Sequence, residues 1–328
     1  MTLALGLLST ANINRLIIAG ARASAAVHVV AVASRDAGRA EAYAREHGIE
    51  RAHRSYEALL ADPDVEAVYV SLPNSLHVEW SLRALGAGKH VLCEKPFSRR
   101  PDDVVRAFGA AEAAGRVLAE AFMYRHHPQT AHVAELVREG AIGELRVIRA
   151  AFSFPLAKPD DVRMKPELGG GALMDVGCYC VSGARLLAGE PERVWGEQLL
   201  AATGVDITFA GTLRFASGIL ASFHCSMELP ARQELEVFGT EGSLLVEAPW
   251  RVDFGGDVLL RRRAGVERVD VPEADAYRLE LEDFAAAVRG ERKPRLGGDD
   301  ALGQARALDA LYRSAEEGAV VSLPSPDG

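Results

Sequence analysis

Hydrophobic residues in the first 120 positions come in short runs that alternate with segments of helical periodicity. The runs with strand character are LALGLL from Leu3, VHVVAVAS from Val27, VEAVYVSL from Val65, KHVLCEK from Lys89 and RVLAEAFM from Arg116. Most are almost entirely apolar, as expected for strands that are covered on both faces of a sheet. The pattern therefore predicts five buried strands.

Amphipathic segments separate these strands. Three of them begin at Asp36, Ser55 and Ser75, and the side chains of Asp36 and Ser55 suit the N-cap position of a helix. Strands that alternate with helices favour a parallel sheet with helices on both faces. The fold class predicted for residues 1–121 is therefore α/β, with a doubly wound parallel sheet.

The pattern changes after Met123. A helix and a strand are followed by a loop that ends in Gly169-Gly170-Gly171 and by a long helix through ALMDVGCYCVSGARLLAG. From Pro191 to Val271 short alternating runs dominate, which favours an antiparallel sheet with one exposed face. Two helices close the chain. We therefore predict a second, α+β domain over residues 122–328, with a large, open, mostly antiparallel sheet.

The turn after the first strand is where dinucleotide-binding folds carry a glycine fingerprint. A G-x-G-x-x-G pattern would place its glycines here on Ser9, Ala11 and Asn14. Glycines allow a tight turn and a close approach to a pyrophosphate, whose charge meets the free N–H groups of the helix start. Small side chains meet these needs in part, and the hydroxyls of Ser9 and Thr10 can donate to phosphate. The turn alone leaves open whether this is a dinucleotide site or an ordinary connection.

The end of the second strand carries Ser34 and Arg35, at the position where NAD-binding folds place a carboxylate for the ribose hydroxyls. A hydroxyl and a guanidinium suit a 2′-phosphate instead, because the planar fork of arginine forms charge-assisted bonds with phosphate oxygens. Arg39, one turn on, is a further candidate for this phosphate. Asp36 is more simply a helix N-cap. These residues favour NADP over NAD as the cofactor.

Composition narrows the class of protein. The 328 residues are 48% apolar and carry a formal net charge of -9, so two ordinary cores are expected and a nucleic-acid partner is not. No run approaches the ~20 apolar residues of a membrane span, and we expect a cytoplasmic protein without a membrane partner. The four cysteines lack the spacing of zinc or redox sites, which predicts small buried thiols. No His, Asp or Glu cluster has the spacing of a metal site, so no metal is expected.

Several segments together resemble the Gfo/Idh/MocA family of oxidoreductases. They are LGLLSTANI, AVASRD, VYVSLPNSLHVEWSLRALGAGKHVLCEKPF, AEAFMYRHHPQ and PELGGGALMDVGCYCVSGARLLAGEP. The resemblance extends over nearly the whole chain and is strongest to the NADP-using branch of xylose dehydrogenases, glucose-fructose oxidoreductase and dimeric dihydrodiol dehydrogenase. It implies an NADP-binding Rossmann domain and a second domain whose open sheet supports oligomers.

Hydride transfer to or from a carbinol carbon needs a group that takes or gives the hydroxyl proton. Lys95, in CEKP, follows a parallel strand at the edge where such sheets bind ligands, and Asp175 and Tyr179 lie on one side of a helix start. An ammonium group beside a phenol favours the phenolate, and the two form a competent acid-base pair. The resemblance implies that Tyr179 exchanges the proton, that Lys95 is its electrostatic partner and a substrate ligand, and that Asp175 contacts substrate or Lys95. The structural alternatives are a loop lysine, a core aromatic residue and a carboxylate at a helix start.

The resemblance also implies binding residues. Contacts with the cofactor are expected from Ser9, Thr10, Ala11, Asn12, Ile13, Ser34, Arg35, Arg39, Leu72, Pro73, Asn74, His77, Glu94, Lys95 and Arg125. Contacts with the substrate are expected from Phe154, Arg163, Lys165, Asp175 and Tyr179. The bond before Pro96 is expected to be cis. Packing is the alternative for His77, which the backbone can satisfy, and for at least one of His126 and His127.

These features favour an NADP-dependent oxidoreductase that acts on a sugar or polyol. Oxidation of an aldose at C1, with D-xylose or D-glucose, is our first hypothesis. A trans-dihydrodiol dehydrogenase and an anhydro- or keto-sugar reductase are alternatives with the same chemistry. A regulatory protein that senses NADP without turnover is an alternative of another class, and the presence of both Lys95 and Tyr179 favours the enzyme.

Assembly into a homodimer or homotetramer is a further expectation. It rests on the resemblance and on the sheet between Val205 and Val271. The apolar residues Leu213, Phe215 and Leu220 are expected on the exposed face of that sheet, where a second copy of the chain would cover them.

Overall fold

The structure, a computed structural model, describes residues 2–158 and 160–324. Its backbone divides into two compact units. The first contains the residues up to His126 together with Asp275–Leu302, and the second contains His127–Ala274 together with the residues from Gly303 onward. The sequence pattern assigned all of 122–328 to one domain, whereas the structure joins 122–126 and 275–302 to the first unit.

The first unit alternates strands and helices. Its elements as far as residue 121 are β1 (Leu3–Leu8), α1 (Asn14–Arg22), β2 (Val27–Ala33), α2 (Ala37–His47), β3 (Arg51–His53), α3 (Tyr56–Leu60), β4 (Ala67–Val70), α4 (His77–Gly86), β5 (His90–Glu94), α5 (Pro101–Ala113) and β6 (Leu118–Ala121). Short 3-10 turns occupy Asn74–Leu76 and Met123–His126.

Over the described residues, these strands form one six-stranded sheet in the order β3-β2-β1-β4-β5-β6. Every neighbouring pair is parallel, and Leu5 of β1 is aligned with Val29 of β2 and with Ala67 of β4. The central strands are buried on both faces, as expected when helices cover a parallel sheet from both sides. The predicted doubly wound sheet is confirmed. Its strand order reverses between β1 and β4, and the crevice at the carboxyl ends of the strands there is the usual ligand site.

The two predicted N-caps are confirmed. The Asp36 side chain accepts the backbone N–H of Arg39 at the start of α2, and Ser55 accepts that of Ala58 at the start of α3. Strand β3 was not predicted, because its three residues include one apolar side chain and show no alternation.

The rest of the chain supplies the second unit and the end of the first. Its elements are α6 (Pro128–Arg138), β7 (Leu145–Ser153), α7 (Cys178–Ala188), β8 (Pro191–Leu200), β9 (Asp206–Phe215), β10 (Leu220–Ser226), β11 (Arg232–Gly239), β12 (Gly242–Val246), β13 (Val258–Arg262), β14 (Gly265–Arg268), α8 (Ala276–Val288), α9 (Gly298–Glu317) and β15 (Val321–Ser322). Helix α8 lies on α1 in the first unit. Gly20 permits this packing, because a Cβ there would lie 2.8 Å from the backbone nitrogen of Arg278.

In the described part of the second unit, nine strands form a sheet in the order β14-β13-β12-β11-β7-β10-β9-β8-β15. Neighbouring strands are antiparallel except β7 and β10, which pair in parallel. The predicted large, mostly antiparallel sheet is thereby confirmed. One face is covered by helices, and Phe209 of β9 packs against Tyr312 of α9 with ring centroids 5.7 Å apart.

The other face of this sheet is more polar than predicted. Leu213 and Phe215 are each 1% exposed and belong to the helix-covered face, while Thr212 and Arg214 alternate with them toward the open face. The prediction that Leu213 and Phe215 need cover from a second chain was therefore wrong. The prediction placed these apolar side chains on the open face of the sheet, whereas the polar side chains of the strand lie there. Leu220 is 46% exposed, as predicted.

No helix in the described part of the chain is both long and apolar enough to cross a membrane. Within the same residues, no three His, Cys, Asp or Glu side chains form a group that would hold a metal ion. The four cysteines are buried, which confirms that they are core thiols.

Candidate active site

The turn between β1 and α1 has a glycine-like backbone without a glycine. Ser9 has a φ of 139°, in a region that favours glycine. Its hydroxyl donates to the carbonyl of Ser71 at 3.0 Å and accepts the N–H of Ala11 at 3.1 Å. The amide of Asn14 donates to the Ser9 carbonyl at 2.8 Å. Side-chain hydrogen bonds thus hold a turn that glycines form in the usual fingerprint.

The start of α1 suits an anion. The helix has no side-chain cap and no acidic residue in its first turn, and the turn residues 9–13 are half-buried or exposed. The N–H groups of residues 14–16 donate to the carbonyls of residues 11–13, and the helix start carries a partial positive charge. The turn therefore fits the pyrophosphate of a dinucleotide.

The end of β2 has basic side chains and no spare carboxylate. Arg35 and Arg39 are exposed, and the hydroxyl of the buried Ser34 accepts the N–H of Asp36 at 3.2 Å. Asp36 is occupied as the cap of α2. Burial raises the pKa of Tyr56, and the charges of Arg35 and Arg39 lower it, so both guanidinium groups lie near this phenol. The two guanidinium groups and the Ser34 hydroxyl together fit a 2′-phosphate.

Two loops follow β4 and β5 at the ligand edge of the sheet, and His77 connects them. Its ring nitrogens lie 2.8 Å from the Leu72 carbonyl and 3.0 Å from the Pro96 carbonyl. His77 is 1% exposed, and burial lowers its pKa to about 4. Pro73 and Asn74, in contrast, are partly exposed. The ring is neutral at pH 7, so its one N–H donates to one of these two carbonyls. His77 therefore lies in the interior between the two loops, while Pro73 and Asn74 lie nearer the surface.

The CEKP segment is held by two further polar residues. Tyr69 of β4 donates to the carboxylate of Glu94, and the carboxylate of Glu120 accepts the backbone N–H of Phe97 at 2.7 Å. The peptide bond after Lys95 is cis, as the resemblance implies. Neither Tyr69 nor Glu120 was predicted from the sequence. Their signal was a polar group within or at the end of an apolar strand.

The turn before α6 contains two buried histidines. Burial, followed by the charges of Arg295 and Arg125, lowers the pKa of His126 to about 3. His127 caps α6 by accepting the N–H of Gln129 at 3.0 Å. His126 therefore has a packing role, and His127 has a capping role. Arg125 is 11% exposed at its side chain, 3.4 Å from Asp300.

In the second unit, Arg163 lies between two carboxylates. Its Nε donates to Asp175 at 2.7 Å and its Nη1 to Asp161 at 3.0 Å. The charge of Asp175 raises the pKa of Arg163 further above its usual value, so the guanidinium remains protonated. The ring centroid of Phe154 is 5.9 Å away. The structure thus brings together Phe154, Arg163 and Asp175, three of the predicted substrate residues.

Tyr179 lies in α7 and is 6% exposed. Its ring meets Phe152 edge-on at 5.4 Å between centroids and lies 6.2 Å from the ring of Trp250. The helix that carries it begins with a π turn at Leu173–Gly177, where a regular α-helix was predicted. Such turns are frequent at functional sites because they re-aim side chains. Aromatic rings therefore pack around the phenol, and Asp175 precedes it on the same helix.

Close contacts require glycine at two positions of the loop before this helix. A Cβ on Gly170 would lie 2.2 Å from the carbonyl oxygen of Arg163, and one on Gly171 would lie 2.0 Å from Oδ1 of Asp206. Gly171 also has a φ of 122°. The loop passes between Arg163 and Asp206 only because side chains are absent.

Four residues around this second-unit site were not predicted. They are Phe152, Asp161, Asp206 and Trp250. Phe152 and Asp161 stand two residues from Phe154 and Arg163, so local spacing was an available signal. Asp206 and Trp250 are distant in sequence from the residues they contact, and no local pattern marks them.

The fold and these sites define an oxidoreductase with a Rossmann domain for a nicotinamide dinucleotide. Two family models match the chain: the oxidoreductase family with an NAD-binding Rossmann fold over residues 5–122, and the Gfo/Idh/MocA C-terminal domain over residues 130–245. The chain belongs to the Gfo/Idh/MocA family, which confirms the resemblance seen in its motifs.

Relatives with known activities cover almost the whole chain. D-xylose 1-dehydrogenase (NADP(+)) 2 from Haloferax volcanii is 41% identical over 97% of this chain and 99% of its own. A 3-ketoreductase from Actinomadura kijaniata, solved in complex with NADP and TDP-benzene, has a TM-score of 0.91 at 34% identity, over 96% of this chain and 98% of its own. An aldose-aldose oxidoreductase from Caulobacter crescentus, complexed with glycerol, has a TM-score of 0.91 at 28% identity, over 98% and 100%. This chain is therefore similar to oxidoreductases that act on sugars.

Proposed function

We propose that the protein is an NADP-dependent oxidoreductase that oxidises the CH–OH group of a neutral sugar or polyol, with D-xylose or D-glucose oxidised at C1 as first candidates. The observation that carries this proposal is the pairing of Arg163 with both Asp161 and Asp175 beside aromatic side chains. Two carboxylates offset one guanidinium. This surface offers hydrogen-bond donors and acceptors to sugar hydroxyls and repels a phosphate.

NADP is the proposed cofactor because the first unit fits both of its phosphate groups. The open start of α1 suits the pyrophosphate, and Arg35 and Arg39 with Ser34 suit the 2′-phosphate. Asn74, Glu94 and Arg125 are the proposed neighbours of the nicotinamide end. When bound, NADP supplies the hydride acceptor.

Tyr179 is the proposed acid-base group. During oxidation its phenolate takes the proton of the substrate hydroxyl and becomes a phenol, and during reduction this phenol returns the proton. Asp175, as an acceptor, and Arg163, as a donor, are the proposed residues that orient neighbouring sugar hydroxyls. We propose that Lys95 acts on the same hydroxyl, which a double variant tests. His77 and His126 are poorer candidates, because burial lowers the pKa of both.

A screen of aldoses, diols and carbonyl sugars with NADP and NAD, followed at the absorbance of the reduced nicotinamide, tests the proposal. We expect turnover of D-xylose or D-glucose with NADP. If only a trans-dihydrodiol or an anhydro-keto sugar is turned over, the proposed substrate is wrong and the proposed hydride-transfer chemistry still holds. Tight NADP binding without any turnover would favour the sensor alternative.

Reduction of a nucleotide-linked keto-sugar is a second candidate, supported by the similarity to the 3-ketoreductase bound to TDP-benzene. Lys158 and Lys165 lie on the loop of Arg163 and are at least partly exposed, and a diphosphate would need such cations. A calorimetric titration with TDP separates the candidates. We expect no binding at micromolar TDP; competition between TDP and the sugar would favour the second candidate.

A further inference from the structure

A buried carboxylate joins three elements of the second unit. Asp206, the first residue of β9, is 3% exposed. One of its oxygens accepts the backbone N–H of Leu173 at 2.6 Å, and the other accepts the hydroxyl of Tyr312, on α9, at 2.9 Å. Asp206 therefore links the sheet and the last long helix to the segment that begins at Leu173.

That segment carries Asp175 and Tyr179, and it has no cap of its own. The residue before it, Ala172, has no side-chain acceptor for the first N–H groups. A helix start needs such acceptors from elsewhere in the structure, and a negative charge near it is favourable. Asp206 meets both needs from a distant strand.

The glycine loop connects the same carboxylate to the ion pair. A Cβ on Gly171 would lie 2.0 Å from Oδ1 of Asp206 and 3.1 Å from the hydroxyl oxygen of Tyr312. The N–H of Gly171 donates to the carbonyl of Arg163, and its carbonyl accepts the N–H of Asp175, both at 3.0 Å. Movement of the Asp206 carboxylate would therefore displace the backbone of both members of the ion pair.

We propose that Asp206 is a positioning residue: its carboxylate, held by Tyr312, fixes the helix start and the glycine loop so that Asp175 and Tyr179 keep one arrangement toward the substrate. Asp206 acts through the helix and does not touch the substrate. The part of this inference that concerns substrate rests on the proposed function, while the anchoring itself does not.

The charge of the anchor depends on pH in an accessible range. Burial raises the pKa of Asp206 to about 6, against hydrogen bonds from the Leu173 N–H and the Tyr312 hydroxyl, which lower it. The ionisable groups that face it are Tyr312 from α9 and Cys225 from β10; burial raises the pKa of the Cys225 thiol well above its usual value, so it stays neutral. Asp175, in the anchored segment, pairs with Arg163. The anchor is therefore charged at neutral pH and loses its charge below about pH 6.

Trp250 provides a readout that needs no substrate. Its ring lies 6.2 Å from that of Tyr179 and against Gly183, two residues of the anchored helix, and its Nε1 donates to the Ala151 carbonyl of β7 at 3.0 Å. We expect the wild-type tryptophan fluorescence to change with a midpoint near pH 6. Asp206→Asn should abolish this transition, and Tyr312→Phe should move it to higher pH because it removes a donor. Asp257→Asn, at an aspartate paired with Arg268 by the sheet edge, is the matched control and should retain it.

Kinetics supply the second readout. Small displacements of positioned groups cost up to about 10²-fold in rate. We expect Asp206→Asn to lower kcat about 10- to 100-fold with an NADP KM within about twofold of wild type. We expect the wild type to lose additional activity below about pH 6; this loss should be absent in Asp206→Asn and should begin at higher pH in Tyr312→Phe.

The outcomes separate this proposal from the proposed function. A wild-type transition near pH 6 that persists in Asp206→Asn overturns the anchoring, as does a variant with wild-type kcat or with a lowered kcat and an unchanged pH profile. If Asp206→Asn does not fold, an unmoved transition in Tyr312→Phe overturns it. If no sugar is turned over, the proposed function fails, and the fluorescence titration still decides the role of Asp206.

Discussion

The ring of Tyr179, in α7, packs against the rings of Phe152 and Trp250. Asp175 lies in the π turn that leads into the same helix. Tyr179→Phe keeps this packing and removes only the proton. We expect kcat to fall about 10²- to 10⁴-fold, the usual cost of losing a positioned acid-base group. NADP affinity, measured by fluorescence titration, should be nearly unchanged. A variant that retains most of its activity would mean that another group exchanges the proton.

Lys95→Ala tests whether Lys95 belongs to the same step. We expect a loss at least as large as that of Tyr179→Phe. The double variant should be little slower than the slower single variant, because residues that act as one unit are not additive. Losses in kcat that multiply would show that Lys95 and Tyr179 act separately.

The proposed choice of NADP over NAD rests on side chains at the end of β2. We expect NADP to bind at least about tenfold more tightly than NAD, on the order of 1.4 kcal/mol. Arg35→Ala should weaken NADP binding and leave NAD binding unchanged, while Arg45→Ala, at an exposed arginine near the other end of α2, should change neither. Ser34→Asp should reduce or invert the preference, because a carboxylate repels the 2′-phosphate. Equal affinities for both cofactors in the wild type would contradict this assignment.

The pKa of Asp206 also predicts how the stability of the protein depends on pH. Its pKa of about 6 in the folded protein lies above the ordinary value of 3.8. The stability linked to its protonation is therefore complete below about pH 4 and is lost as the pH rises through about 6, up to about 3 kcal/mol. Relative to wild type, the denaturant midpoint of Asp206→Asn should improve across this window. A constant difference between the two proteins from pH 4 to pH 7 would show that the carboxyl titrates normally.

At the scale of elements, the sequence predicts strands, helices and caps where the determining contacts are local. Asp36 and Ser55 cap helices that begin beside them. The π turn at Leu173–Gly177 was not predicted; its first N–H donates to a carboxylate of β9, which is distant in sequence. Strand β3 was missed because its pairing with β2, and no pattern of its own, defines it.

The glycine loop offers a test at this scale. Gly171 and Gly189 both have positive φ values, 122° and 84°. A Cβ on Gly171 would clash with Asp206, whereas nothing lies within 4 Å of one on Gly189. In both alanine variants the strained backbone should lower the free energy of unfolding by roughly 1–2 kcal/mol. Gly171→Ala should lose about 1–3 kcal/mol more through overpacking, measured by denaturant unfolding. Equal losses would mean that the loop relaxes around the added methyl group.

For the whole molecule, assembly stays a prediction. The open face of the large sheet has a groove lined by Val147, Trp195 and Leu220, and we expect a second copy of the chain to cover it. Light scattering at micromolar concentration should give at least twice the mass of one chain. Leu220→Glu should weaken the assembly, while Phe254→Glu, at another exposed apolar residue, should not. A monomer mass for the wild type would end this expectation.

The sequence by itself determined the elements whose information is local. Apolar runs marked the parallel strands, side chains next to helix starts marked the caps, and the CEKP and GGGALMDVGCY segments marked the family and the positions of Lys95, Asp175 and Tyr179. These signals survive in the sequence because each depends on residues a few positions apart.

Only the tertiary structure decided the contacts between distant residues. It put Leu213 and Phe215 on the buried side of the sheet, joined 275–302 to the first unit and placed Asp206 at the start of the helix of Tyr179. Each depends on which surfaces pack together, and packing is set by shape and by hydrogen bonds across many residues. A carboxylate in a strand looks like any other in the sequence, and its role follows from the uncapped helix start that it meets when the chain folds.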